Sequence, residues 1–262
     1  TTFGRSSAQI TQELARYFRS ALRHPVAWQS PEVPTPAMEF ADASRADSAR
    51  IRGDWERLQA AYVREAAPEF AAKYRDKAHF TLEHAYGRGE RDPRLLAVLG
   101  LNELDGGDRA RAEALLAIAV RAQVLRPRVY VELARLKLAD EVGGLKGDAK
   151  LTRRQADTVL DLLDAADAQS PHLPATFRIA LDVWEHCGVA PDADRLAFLA
   201  RGAADFPRSA ELACRAAKIL LANGRETDAM ALVAKATRLG ASDAYLQPLR
   251  NLRAALAAAG AK

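Results

Sequence analysis

The residues with the clearest potential for metal chemistry are His79, Glu83 and His84. A zinc site on a helix needs two histidines on one face, as in the H-E-x-x-H and H-x-x-E-H motifs. These two histidines are separated by about 140° around a helix. His79 and Glu83 do share a face, at a spacing typical of an ordinary side-chain pair. We therefore predict no metal site here, and none at His186 and Cys187, which have no second Cys or His pair nearby.

Other signatures of catalysis are missing from the sequence. It contains no G-x-x-x-x-G-K-[ST], G-x-G-x-x-G or G-x-S-x-G motif, the patterns that cradle phosphates or present a nucleophile. The glycine-containing residues 143–148 lack a preceding strand and indicate a flexible insertion between two helices. Asp192 and Asp194 lack the further oxygen ligands of a calcium loop and indicate a helix N-terminus. We predict that the chain is not an enzyme and has no cofactor.

The elements that position these side chains follow a repeat. Pro93 and Pro127 stand 34 residues apart, and two short helices with a turn at residues 105–108 are predicted between them. Small residues at Gly100 and Ala112 allow the two helices to approach closely, while larger apolar residues fill the gaps. The predicted helices span residues 94–104 and 109–123.

A second stretch, residues 210–241, has the same pattern. Gly100 precedes Ala112 by 12 residues, and Ala217 precedes Ala229 by the same number. A turn glycine also stands at equivalent places, Gly107 and Gly224. The pattern resembles the tetratricopeptide repeat, a 34-residue helix–turn–helix unit. The resemblance covers about residues 48–260, and these two stretches carry it.

The resemblance implies an all-α fold, a right-handed superhelical solenoid of antiparallel helix pairs with about five pairs and a C-terminal capping helix. Hydrophobic residues make up 49% of the chain, enough for a continuous core, and strand signals are nearly absent. In the first repeat, Trp55, Leu58 and Tyr62 form the apolar pattern. The further predicted helices span residues 54–65, 68–86, 129–139, 151–169, 174–186, 193–205 and 243–259.

The N-terminal residues differ from the repeats, and we divide the chain into residues 1–47 and 48–262. Residues 8–23 predict an amphipathic helix, and prolines then interrupt an extended stretch at residues 24–37. That stretch is interpreted as a linker packed along the solenoid, or alternatively as an intramolecular ligand in its groove. Its apolar anchors are Val26, Trp28, Val33, Met38 and Phe40.

The first residues, beginning Phe3, Gly4 and Arg5, resemble the closing helix of a bacterial peptidase-like domain that such repeats often follow. This resemblance implies that the chain is the C-terminal repeat region of a longer protein. We expect no signal peptide and no membrane span in the sequence. Cys187 and Cys214 are expected to be free thiols, since the repeat register places them roughly 15 Å apart along the stack. Free thiols are compatible with the cytoplasm. The alternative that an upstream part of the protein is exported is also kept.

The charge balance argues against nucleic acid as the partner. The net charge is +4 and the isoelectric point about 9.2, but the basic residues are spread along the chain. Nucleic-acid-binding proteins usually cluster Lys and Arg on one face. We therefore expect a protein or peptide partner, and the function predicted is that of a protein-interaction scaffold. The alternative is a non-catalytic accessory or substrate-docking region of a larger bacterial peptidase-like hydrolase.

In the tetratricopeptide family the first helix of each pair lines a concave groove, and this resemblance implies which residues contact the partner. Arg and Trp, which dominate binding hot spots, are among them. Ala97 and Leu101 stand where the family's carboxylate clamp has Lys and Asn, so that ligand is not expected. The alternative for Phe177 and Trp184 is that they pack in the core between repeats. The alternative for Arg128 and Arg135 is that they are ordinary solvent-exposed charges. The predicted groove residues are Arg94, Leu101, Arg128, Val131, Arg135, Phe177, Leu181, Trp184, Glu211 and Lys218.

Overall fold

The computed structural model describes residues 7–23 and 42–260, and within these ranges the chain forms 12 helices. The helices are α1 Ser7–Arg23, α2 Arg45–Val63, α3 Pro68–Gly87, α4 Pro93–Gly106, α5 Arg109–Arg121, α6 Pro127–Gly143, α7 Arg153–Asp167, α8 Pro174–His186, α9 Ala193–Asp205, α10 Ala210–Ala222, α11 Glu226–Arg238 and α12 Asp243–Gly260.

The chain divides into two compact units, Thr1–Asp42 and Ala43–Lys262. In the first unit α1 is amphipathic, with Leu14, Tyr17 and Phe18 exposed along one side. The proline-rich stretch and its five apolar anchors lie outside the described residues. Helix α2 begins at Arg45 and so spans the position at which we divided the sequence, and that division stays a prediction.

The second unit is a stack of five helix pairs followed by one closing helix. The pairs are α2 with α3, α4 with α5, α6 with α7, α8 with α9, and α10 with α11. Consecutive first helices contact one another from α2 to α10, and α12 packs on α10. The second helices α5, α7 and α9 also contact the first helix of the following pair. The prediction of an all-α solenoid of about five pairs with a capping helix is confirmed.

Local sequence signals explain where these helices begin and end. Proline occupies the first turn of α4, α6 and α8, where its missing N–H is not needed. Asp92 accepts a hydrogen bond from the backbone N–H of Arg94 at the start of α4, and Gly107 follows the same helix with a left-handed φ of 94°. Gly224 has a positive φ at the equivalent turn, so the two turn glycines are confirmed.

Small residues set the distance between helices within a pair. A Cβ atom added at Gly100 would lie 3.0 Å from Leu116 on α5, and one at Gly202 would lie 2.3 Å from Phe177 on α8. Ala112 is fully buried in the α4–α5 contact. The prediction that Gly100 and Ala112 allow close approach is therefore confirmed.

Helix α2 begins nine residues earlier than predicted, at Arg45 instead of residue 54, and the segment after α6 also differs from expectation. Helix α6 continues to Gly143, so the loop that follows is shorter than predicted. The end of this loop is held in place, because the N–H of Leu151 donates to the carbonyl of His186 at 2.9 Å and that of Gly188 donates to Leu151 at 2.9 Å. Leu151 is buried, so at least this end of the insertion is anchored to the α8–α9 turn.

Candidate functional site

The free surface of three first helices carries charged side chains at spacing i, i+4, i+7, which places them on one helix face. We name this surface the charged face. Its members on α6 are Arg128, Glu132 and Arg135; on α8 they are Arg178, Asp182 and Glu185; on α10 they are Glu211, Arg215 and Lys218.

On α6 two arginines share one carboxylate. Arg128 Nε lies 3.6 Å from Glu132 Oε1, and Arg135 Nη1 lies 3.5 Å from Glu132 Oε2. The Glu132 side chain is mostly buried while both guanidinium groups are about half exposed. This part of the charged face therefore has an excess of one positive charge.

Ion pairs connect α8 to α10 across the charged face. Arg178 Nε donates to Glu211 Oε2 at 3.0 Å, and Arg215 donates to Asp182 and to Glu185 Oε2, the latter at 2.9 Å. Burial by itself lowers the pKa of Arg215, but hydrogen bonds to Glu185 and Asp182 outweigh it and raise the pKa above its ordinary value. Arg215 is thus a fixed cation that ties the two helices together.

Lys218 is the exception on this surface. It is exposed and makes no ion pair or side-chain hydrogen bond with any described residue. Two cavities meet at Lys218 and Glu185. One, of about 190 Å³, is also lined by Cys214, Tyr245 and Leu249 between α10 and α12. The other, of about 450 Å³, extends from Trp184 past the turn after α8 to Leu252.

The arrangement of these helices can be compared with known proteins. No family model matches the chain, and no curated protein matches it. Among solved structures, residues 41 to the end of MamA from Desulfovibrio magneticus RS-1 match with 12% identity, covering 72% of this chain and 95% of that one, at a TM-score of 0.47. A thermophilic TPR protein from Thermus thermophilus, TTC0263, matches with 22% identity, covering 74% and 96%, at a TM-score of 0.41.

The assignment of the fold depends on the helix pairs themselves, with their turn glycines, small contact residues and stacked first helices. The described pairs are tetratricopeptide-like repeats. In these repeats the charged face belongs to the first helices, the same helices on which the sequence predicted the groove residues.

The structure divides the predicted groove residues into two groups. Arg94, Arg128, Arg135 and Lys218 are exposed and Glu211 is half-buried. Arg94 pairs with Asp47 and Asp92 at 3.2 and 2.8 Å. The other predicted residues have buried side chains: Leu101, Val131, Phe177, Leu181 and Trp184.

On α8, the predicted groove residues are buried. Phe177 is 1% exposed and packs against Phe198 with 4.9 Å between ring centroids. The side chains that reach the surface of α8 are each one position later, at Arg178, Asp182 and Glu185. The physical reason is that α8 packs against four helices, α6, α7, α9 and α10, which leaves only a narrow free stripe. Trp184 still lines the larger cavity beside Lys218.

Sequence reasoning missed the acidic and basic partners of this surface, although the sequence contains a signal for them. Residues of opposite charge recur 33 positions apart, at Arg178 and Glu211, at Asp182 and Arg215, and at Glu185 and Lys218. A spacing of one repeat length places such residues side by side on neighbouring first helices. A search for opposite charges 33 or 34 positions apart, close to one repeat length, would have found them.

The histidines considered for metal binding lie in ordinary contacts. His79 Nδ1 is 3.4 Å from Glu103 Oε1, Glu83 pairs with Arg111, and His84 stacks on Phe80. Within residues 7–23 and 42–260, no cluster of three or more His, Cys, Asp or Glu side chains could hold a metal ion. Over the same residues, every helix is too short or too polar to cross a membrane.

Proposed function

We propose that the chain is a protein-interaction scaffold and that a segment of its partner binds along the charged face of the first helices. The observation that carries this proposal is Lys218, an unpaired cation at the junction of two cavities. A lysine on a scaffold whose neighbouring charges are paired is available to a carboxylate of the partner.

The lining of the two cavities defines the chemistry of the partner segment. Tyr245 and Leu249 give the smaller cavity an apolar wall, and Trp184 contributes to the larger one. Aromatic side chains provide large contact area at low entropic cost. The partner segment accordingly carries an acidic residue opposite Lys218 and apolar side chains on either side of it.

The excess positive charge on α6 also favours an acidic residue in the partner segment. Among the described residues, Arg128 and Arg135 pair with Glu132 alone, so an acidic residue of the partner placed there would find a free guanidinium hydrogen-bond donor. Exposed pairs of this kind contribute little to affinity individually. We assign them to orientation of the partner and to the rate of association.

The alternative from the sequence, a docking region for a larger peptidase-like hydrolase, would use the same charged face. The two functions differ in the protein that contributes the bound segment: a separate partner for the scaffold, and a substrate or partner of the hydrolase for the docking region. The absence of catalysis and of a cofactor stays a prediction.

A charge-reversal pair tests the proposal. Lys218→Glu places a negative charge at the cavity junction, and Arg238→Glu makes the same change on α11, a second helix, at a cation that is also exposed and without an ion pair to any described residue. Both variants and the wild-type chain are used as bait in an extract of the native host, after thermal unfolding has shown equal stability. We expect a protein retained by the wild type and by Arg238→Glu to be lost with Lys218→Glu. Equal retention by all three would contradict the proposal.

A further inference from the structure

The first helix pair has an apolar surface that the other helices of the second unit leave exposed. On α2, Ile51 and Trp55 are more than half exposed, and they lie on the side opposite the buried Ala46 and Gly53. Phe80 on α3 is 70% exposed. Exposed aromatic side chains in one patch mark an interaction surface more often than single ones do.

The patch lies at one end of the repeat stack. Ala46, Gly53 and Ala60 form the buried side of α2, which packs on α3 and α4. The opposite side of α2 carries Ile51, Trp55, Leu58 and Tyr62, which are about half exposed or more. The Trp55 ring meets that of Tyr74 on α3 edge to face, with 6.0 Å between the ring centroids. We name the surface formed by this side of α2 and the adjoining side of α3 the end face.

The other end of the stack is built differently. Helix α12 buries Leu246 and Leu249 against the stack and exposes Gln247, Arg250 and Arg253. A polar outer surface is what a terminal repeat needs in order to stay in solution alone. Among the described helices of the second unit, none covers the end face in this way, although its apolar residues on α2 have the spacing of a helix-packing surface.

A groove of about 540 Å³ lies between α2 and α3. Of the exposed apolar residues named above, Phe80 lines this groove, and those of α2 lie outside its lining. Its floor is apolar, formed by Ala49, Ala85 and the Phe80 ring, and its rim is basic. The rim cations are Arg45, Arg52, Lys77 and Arg88, and Glu90 is the acidic residue among the lining side chains.

Two of the rim cations are already engaged. Glu56 is 1% exposed and accepts a hydrogen bond from Arg52 Nε at 3.1 Å, while Lys77 Nζ lies 3.9 Å from it. Thr81 donates to the other oxygen of Glu56 at 2.8 Å. Arg45 and Arg88 make no ion pair with any described residue, so the rim keeps two uncommitted positive charges.

We propose that the end face binds an acidic amphipathic helix of another protein. Helix packing fits because the exposed apolar residues of α2 recur every three or four positions, which forms ridges for a partner helix. The acidic character follows from charge complementarity with Arg45 and Arg88. A protein helix fits better than nucleic acid because the groove has apolar lining residues, against which the apolar side of an amphipathic helix packs. This surface is distinct from the charged face.

The test uses the full chain and two synthetic 18-residue helical peptides, both with leucines at i, i+3, i+4 and i+7. One has glutamates on the polar side and the other has lysines. Fluorescence anisotropy is expected to show at least ~10-fold tighter binding of the acidic peptide. Arg45→Glu with Arg88→Glu is expected to abolish that preference, and Phe80→Ser to weaken binding of the acidic peptide at least ~10-fold.

Matched controls distinguish this surface from others. Leu125→Ser removes an apolar side chain that is 88% exposed elsewhere, and Arg238→Glu reverses an exposed cation on α11, so both should bind the acidic peptide like the wild type. Equal binding of both peptides, or unchanged binding by the end-face variants, would overturn the proposal. Dimers in sedimentation that Phe80→Ser dissociates would assign the surface to a second copy instead. Displacement of the acidic peptide by a single-stranded oligonucleotide, lost with Arg45→Glu and Arg88→Glu, would assign it to nucleic acid.

Discussion

Arg57 on α2 donates a hydrogen bond to Asp105 near the end of α4, with 3.1 Å between Nη1 and Oδ2, although the Arg57 side chain is only 2% exposed. Its Nη2 also donates to Asp54 at 3.1 Å, and Arg126, just before α6, donates to both oxygens of Asp54 at 2.8 Å. This buried ion network joins the first three pairs.

Removing Arg57 should therefore destabilise the stack. We expect Arg57→Ala to lower the free energy of unfolding by about 3 kcal/mol, because it leaves two partly buried carboxylates with fewer partners. Arg250→Ala, which breaks an exposed pair with Asp243, should cost less than about 1 kcal/mol. Urea unfolding of both variants gives the comparison. Equal, small losses for the two would show that the network contributes nothing.

The contact between α8 and α9 leaves no room for a side chain at Gly202. An added Cβ would lie 2.3 Å from Cδ1 of Phe177, whose ring also packs against Phe198 and Phe206. Gly202→Ala should cost about 1–3 kcal/mol through overpacking.

The control for that change is Gly143→Ala. Gly143 ends α6 with no neighbouring atom within 4 Å of the added Cβ, so the substitution should be neutral or slightly stabilising. Thermal unfolding distinguishes the two, and a stable Gly202→Ala protein would mean that α8 and α9 are farther apart than described.

Asp192 at the start of α9 should make the stability of the fold depend on pH. Its carboxylate accepts from the backbone N–H of Arg195 at 3.0 Å and from Arg153 at 2.8 Å, and these hydrogen bonds lower the pKa of Asp192 below its ordinary 3.8. A carboxyl whose pKa is lower in the folded than in the unfolded chain stabilises the fold at pH values above its unfolded pKa. That stabilisation is lost as the pH falls through its folded pKa.

Asp192→Ala should accordingly cost about 1 kcal/mol near pH 7, and the difference from wild type should shrink below pH 3.8. Asp161→Ala, at an exposed carboxylate on α7 without an ion pair to any described residue, serves as the control. Urea unfolding at several pH values measures both. A cost for Asp192→Ala that stays constant down to pH 3 would rule out a charge effect.

The two thiols should differ in reactivity. Cys214 is 2% exposed, and burial raises the pKa of its thiol; Cys187 is only half-buried. Because the thiolate is the nucleophile, Ellman's reagent should modify Cys187 at least ~10-fold faster than Cys214. The rates are measured separately in Cys214→Ser and Cys187→Ser. Faster reaction of Cys214 would mean that the α10–α12 contact opens readily.

The sequence predicted the helix pairs because each pair depends on local signals. Pro93, Gly100 and Gly107 fix the start, the contact and the end of one helix, and such signals act within a few residues. The predicted ranges of α8 and α9 agree with the structure at both ends.

The free surface could not be predicted in the same way, because it depends on which neighbours cover each helix. The family resemblance implied that Phe177 and Trp184 lie on the free side of α8, with a place in the core as the alternative, and the structure buries them. In α2 the error is reversed: Trp55, Leu58 and Tyr62 form the apolar pattern yet are exposed. The buried side contains Ala46, Gly53 and Arg57, whose types alone do not indicate a core.

The central claim is that a partner segment lies in the cavities beside Lys218. The most direct test places the photo-crosslinker p-benzoylphenylalanine at Tyr245, which lines the smaller cavity, or at Leu239, which is equally exposed at the end of α11. After irradiation in an extract of the native host, adducts are identified by mass spectrometry. We predict one dominant protein adduct at Tyr245, none at Leu239, and loss of the adduct when Lys218→Glu is added. The same adduct at both positions, or one that survives Lys218→Glu, would contradict the claim.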